Sequence, residues 1–126
     1  MERATPQRAP IAEVLRTAHR PLSPAEILSA SRAAVPRLGT ATVYRTLRAM
    51  VEDGTIAPVF LAGEAARYEL AHLGHHHHFR CRACERVFEV EGCPGDLSGL
   101  APKGFQVEAH DVVLFGRCAG CTSASP

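Results

Sequence analysis

GTATVYRTLRAMVEDGTIAPVFLAGEAARYEL, residues 39–70, changes its hydrophobic period halfway along. In the first half Val43, Leu47, Met50 and Val51 recur at helical spacing. They predict one buried stripe on a helix. Thr40 is the expected N-cap and Gly54 the expected C-terminal stop. Ala41, Arg45 and Arg48 face away from the stripe, with Thr42 and Tyr44 on its flanks. The second half holds two β-rich runs, Ile56–Leu61 and Arg67–Leu70, around a glycine-containing turn. That pattern predicts a hairpin, and Pro58 marks its first strand as an edge strand.

Two helices are expected upstream. In TPQRAPIAEVLRTAH, Thr5 can cap and Pro6 suits the first turn, while Ile11, Val14, Leu15 and Ala18 share a face. In RPLSPAEILSASRAA, Ser23 caps, Pro24 starts the helix and Glu26 completes a capping box. Pro36 and Gly39 then break the chain. Three helices followed by a hairpin is the winged-helix order. In that fold the third helix enters the major groove, with reading side chains near its N-terminal end. Tyr44, Arg45 and Arg48 stand there, with Thr42 beside them. Arginine reads guanine through two hydrogen bonds, and an aromatic ring can pack on a thymine methyl. A solvated helix face is the competing reading of these arginines.

The chain has 126 residues and a net charge of only +1. The distribution matters more than that sum. Residues 1–50 hold eight arginines against three glutamates, a balance of +5. Residues 69–126 hold five basic and seven acidic residues, all five cysteines and six of the seven histidines. A basic half thus precedes a half rich in metal donors. No long apolar run and no basic segment leading into an apolar one opens the chain, so the expectation is a cytoplasmic protein without membrane contact. In that compartment cysteines serve as metal ligands or thiols more often than as disulfides.

The second half begins with HHHHFRCRACERVFEV, residues 75–90. Cys81-x-x-Cys84 and Cys118-x-x-Cys121 are two pairs with two-residue spacing. Four thiolates make a closed tetrahedral zinc site of structural type. The 33 residues between the pairs must form a subdomain. Cys93 is left over and reads as a free thiol or a buried filler. Four consecutive histidines cannot all face one ion from an extended chain. Alternation sends His76 and His78 to one side and His75 and His77 to the other, so the run can serve two sites. Glu69 is an available partner for the first pair, and Asp96 and His110 for the second. Histidine and carboxylate donors suit Fe²⁺, Mn²⁺ or Zn²⁺ better than Cu⁺. Strands are expected at Phe79–Cys81, Val87–Val90, Phe105–Val107 and Val112–Phe115, with a short helix around Asp96–Leu100.

TPQR, ATVYRTL, RYEL, HHHHFRCRAC, the GF-x-V-x-x-H of residues 104–110 and GRCAGC together resemble the ferric uptake regulator family in order and spacing. The resemblance runs from Thr5 to Cys121. It implies an α+β protein: a winged-helix DNA-binding domain (1–70), a metal-binding hinge (71–78) and a zinc-stapled α/β dimerisation domain (79–126). It implies structural zinc on Cys81, Cys84, Cys118 and Cys121, and a regulatory hinge site on Glu69, His76 and His78. It also implies a second His/carboxylate site on His75, His77, Asp96 and His110. Arg8 matches a phosphate-contacting position, and Tyr44 and Arg45 match the base-contacting pair. His19 is offset from the family's frequent hinge histidine. Glu69 together with Ala71, where the zinc-uptake branch often has cysteine, leans towards Fe²⁺ or Mn²⁺, with Zn²⁺ as the other regulatory ion. The function implied is a homodimeric repressor of metal-homeostasis genes, bound to palindromic double-stranded operator DNA and acting on no small-molecule substrate. A zinc-uptake regulator or peroxide sensor of the same family is the alternative, and a metal-buffering protein without DNA binding the remote one. A metallohydrolase is disfavoured, because no H-E-x-x-H motif supplies a general base beside an open metal site.

Overall fold

The computed structural model describes residues 7–124. The chain forms two compact units, one ending at Leu73 and the next starting at Gly74. No helix among the described residues is long and apolar enough to cross a membrane.

The first unit holds α1 (Arg8–Ala18), α2 (Pro24–Ser31), α3 (Thr40–Glu52), β1 (Ile56–Val59) and β2 (Arg67–Leu70), the order of a winged helix. Ile11 and Leu15 of α1, Ile27 of α2 and Val43, Leu47 and Met50 of α3 form the core. Val14, Ala18 and Val51 pack against it, as their helical spacing predicts. The expected Thr5 cap and Pro6 lie outside the described residues, and α1 is preceded by Gln7 without a side-chain cap bond. The N-cap of α3 is Gly39 in an extended conformation, so Thr40 is the first helical residue instead of the cap. Glycine supplies the extended backbone there without a side-chain acceptor. Gly54, at φ +80°, follows the helix in the left-handed conformation that ends it. The wing hairpin pairs Ile56 with Leu70 and Val59 with Arg67, so β1 is two residues shorter than expected. Leu22 and Tyr68 exchange backbone hydrogen bonds of 2.9 and 2.8 Å on the other side of β2. That pairing leaves β1 on the edge, where Pro58 costs no ladder bond.

The cap of α2 is complete. The Glu26 N–H donates to Ser23 Oγ at 3.1 Å, and the Ser23 N–H donates to Glu26 Oε1 at 3.0 Å. Burial pushes the Glu26 carboxyl up, but the Ser23 N–H and the guanidinium groups of Arg20 and Arg67 outweigh it and hold it below 4.5. A depressed carboxyl contributes stability above its unfolded value and loses it as pH falls through the folded one. Ser23→Ala is expected to cost about 1 kcal/mol in urea unfolding at neutral pH. Glu26→Gln should flatten the acid limb of the stability curve below pH 4.5, and an unchanged limb would refute this cap assignment.

The second unit is a three-stranded sheet in the order β4-β3-β5, from β3 (His77–Cys81), β4 (Val87–Val90) and β5 (Val113–Gly116). β3 is central, antiparallel to β4 and parallel to β5. A 3₁₀ turn at Ser98–Leu100 replaces the expected short helix, and α4 (Ala119–Ala124) follows the last strand. The strand expected at Phe105–Val107 is irregular chain. Those residues are exposed and pair with no neighbour strand among the described residues, so their β-rich composition has no ladder to join.

Candidate metal and nucleic-acid sites

On α3, Tyr44, Arg45 and Arg48 are exposed beside the buried stripe. Together with Tyr68 of the wing they line a shallow depression. Arg45 Nη2 donates to Thr42 Oγ1 at 3.1 Å, which holds the guanidinium along the helix face. Arg8 is turned onto the carboxylate of Asp53 just beyond α3. A phosphate would have to exchange with that ion pair. His19 adopts the left-handed conformation (φ 53°) that ends α1.

The four paired cysteines converge. Cys81 ends β3, Cys84 lies in the turn after it, Cys118 precedes α4 and Cys121 sits within it. Their sulfurs lie within 4.8 Å of one another. Cys84 Sγ and Cys118 Sγ are 3.8 Å apart. A tetrahedral ion bound to sulfur at about 2.3 Å needs edges of roughly 3.8 Å, and the Cys84–Cys118 edge has that length. The N–H groups of Cys84 and Cys118 donate to Cys81 Sγ at 3.4 and 3.3 Å and lower its thiol to about 5. Hydrogen bonding with Cys118 and Cys81 pushes the Cys121 thiol up to about 12. Without a cation this cage favours few thiolates, because like charges crowd one another. A divalent ion would reverse that balance, with all four sulfurs available as ligands.

The histidine run enters β3 extended, and its side chains alternate as expected. The rings of His76 and His78 are 4.9 Å apart on one side, and those of His75 and His77 4.6 Å apart on the other. His76 Nδ1–H donates to the Gly74 carbonyl at 2.8 Å, which places the ring's lone pair on Nε2. Glu69 lies on β2 of the first unit, while His76 and His78 belong to the second.

On the other side, His75, His77 and His110 gather with Cys93. Asp96, the expected carboxylate donor, is absent from this group. Its Oδ1 accepts from the Ser98 N–H at 2.9 Å and the Ser98 hydroxyl at 2.6 Å at the start of the 3₁₀ turn. Those two bonds, the hydroxyl's first, hold the Asp96 carboxyl below its ordinary range. Cys93, read from sequence as a bystander, stands in the donor group instead. Its one signal was being an unpaired cysteine in a half already crowded with metal donors. His77 is buried, and burial, with the neighbouring His75 and His110, holds its pKa below the ordinary imidazole range. Its Nδ1 accepts from the Val112 N–H at 3.0 Å, and its Nε2 has no hydrogen-bond partner among the described residues.

Comparison with known proteins bears on what these groups do. The profile of the Ferric uptake regulator family matches residues 2–115. The transcriptional regulator FurA of Mycobacterium tuberculosis is 29% identical over 123 residues, covering 95% of this chain and 83% of that protein. The zinc uptake regulation protein of the same organism is 33% identical over 128 residues, covering 96% and 95%. The solved structure of the ferric uptake regulator from Francisella tularensis with iron superposes with a TM-score of 0.74 at 27% identity, covering 96% of this chain and 95% of that one. A winged helix with an exposed arginine face, followed by a unit that gathers sulfur and imidazole donors, agrees with that match: the chain belongs to the ferric uptake regulator family of metal-responsive transcriptional regulators.

Proposed function

We propose that this protein is a homodimeric repressor whose affinity for a palindromic operator is set by Fe²⁺ or Mn²⁺ at Glu69, His76 and His78. The observation that carries this reading is the two-sided histidine run, which presents one pair of imidazoles separately from the other. Glu69 lies in β2 of the first unit, and His76 and His78 lie near the start of the second. An ion bound in only one arrangement stabilises that arrangement by its differential affinity. In it, two copies of α3 would meet successive major grooves about 34 Å apart. Cys81, Cys84, Cys118 and Cys121 hold structural zinc in this reading, and the domains divide as 1–70, 71–78 and 79–126.

The second copy docks on the exposed apolar side of the second unit. β5 is an edge strand, and Leu114, Phe115 and Phe105 are exposed at 47%, 52% and 71%. An uncovered apolar edge invites pairing with an identical chain. A cytoplasmic location follows from acting on DNA. The zinc-uptake alternative draws on the 33% identity to a zinc uptake regulation protein. Operator binding titrated separately with Fe²⁺, Mn²⁺ and Zn²⁺, on protein retaining its structural zinc, tests the reading. Specific binding should appear only with metal, and Fe²⁺ or Mn²⁺ should suffice. Equal binding with and without metal would sink the mechanism. Response to Zn²⁺ alone would favour the alternative.

A further inference from the structure

We infer that Cys93, His75, His77 and His110 form a sulfur-containing tetrahedral site that selects Zn²⁺ over Fe²⁺ and Mn²⁺. All four residues belong to the second unit. They come from three separate segments: the start of β3, the loop after β4 and the loop before β5. Cys93 Sγ lies 3.4 Å from His75 Nε2 and 3.3 Å from His110 Nε2, and those two nitrogens are 3.1 Å apart. A tetrahedral ion with nitrogen at about 2.0–2.1 Å and sulfur at about 2.3 Å requires edges of roughly 3.3–3.6 Å. The triangle is therefore close to the size that one ion needs. His77 completes the group, its ring stacked 5.0 Å from that of His110. The Gly95 N–H donates to Cys93 Sγ at 3.4 Å and helps to fix the position of the sulfur.

The choice of donor decides the choice of ion. A carboxylate here would make a hard site suited to Mn²⁺ or Fe²⁺, whereas a thiolate with three imidazoles is a soft set suited to zinc. Asp96 stands outside the donor group, its Oδ1 accepting both bonds from Ser98 at the turn. The protein would then carry two exchangeable sites of different hardness, the hinge site without sulfur and this one with it. Zinc status would be read at a site separate from the one proposed for Fe²⁺ or Mn²⁺. The inference rests on the reading above only in requiring that the four-cysteine cage already hold its own zinc.

The experiment uses full-length protein first shown to retain one equivalent of zinc per chain. Titration with Co²⁺ should then produce thiolate-to-cobalt charge-transfer absorption, which a hinge site of carboxylate and imidazole cannot give. Cys93→Ser should abolish that absorption and weaken Zn²⁺ binding by about tenfold or more, with Mn²⁺ binding little changed. Cys93→Asp should raise Mn²⁺ affinity relative to Zn²⁺. As a measurement on the unaltered chain, added Zn²⁺ should protect Cys93 from alkylation by iodoacetamide. Charge-transfer absorption that survives Cys93→Ser, or alkylation of Cys93 indifferent to zinc, would overturn the inference. Failure of the protein to retain the first zinc would instead count against the four-cysteine assignment.

Discussion

Replacing Cys118 with serine, or treating the four-cysteine cage with a strong chelator, is expected to unfold the second unit and dissociate the proposed dimer. The reason lies in where the core sits. Nine buried apolar residues form the core cluster, and all belong to the first unit. Among the described residues of the second unit, only Cys81 and Val87 are buried apolar side chains. A unit of about fifty residues with so little interior needs a staple to stay folded. Structural zinc contributes about 10–16 kcal/mol in comparable small modules, far more than this sheet can supply by burial. Thermal unfolding followed with zinc release should therefore show two transitions, the second unit's moving with chelator and the first unit's staying in place. A dimer that survives complete removal of zinc would refute the structural role.

Arg45→Ala is expected to remove specific operator binding without altering metal content. Arg45 and Tyr44 are exposed on a helix whose opposite face is locked by Val43, Leu47 and Met50, so truncation should leave the fold intact. A bidentate contact to guanine is worth about 1–3 kcal/mol, and a dimer makes it twice, so the loss is about 2–6 kcal/mol or roughly 30-fold to 20,000-fold. Arg45→Lys keeps the charge but not the planar fork. It should therefore retain non-specific, salt-sensitive binding while losing sequence preference. Electrophoretic or anisotropy titrations against operator and scrambled DNA separate the two effects. If Arg45→Ala binds operator like the unaltered chain, α3 is not the reading helix, and the metal-buffering alternative gains.

Much of the first unit was legible in the sequence because its signals are local. The capping box at Ser23 and Glu26 needs only three residues of spacing, and it formed as written. The apolar stripes of α1 and α3 need only the helical period. The N-cap of α3 falls one residue before Thr40, because threonine and glycine both suit helix starts and the backbone at Gly39 takes the extended conformation. The alternation of the histidine run is likewise local, since any strand imposes a period of two.

The second unit is where local reading runs out. Spacing and strand alternation are enough to show that two Cys-x-x-Cys pairs can share an ion and that the histidines divide between two sides of a strand. Which residue completes the group around His75 and His77 depends on long-range pairing. The chain from 91 to 112 carries a single short 3₁₀ turn, so no periodicity assigns its side chains to a face. Its course is set at its ends, by β4 pairing on one side of β3 and β5 running parallel on the other. Those long-range pairings bring Cys93 and His110 to the same imidazoles, while two short bonds to Ser98 keep Asp96 at the turn. This local turn holds Asp96 Oδ1 outside the donor group. Its sequence signal, an Asp-x-Ser, would have read as a turn in any context.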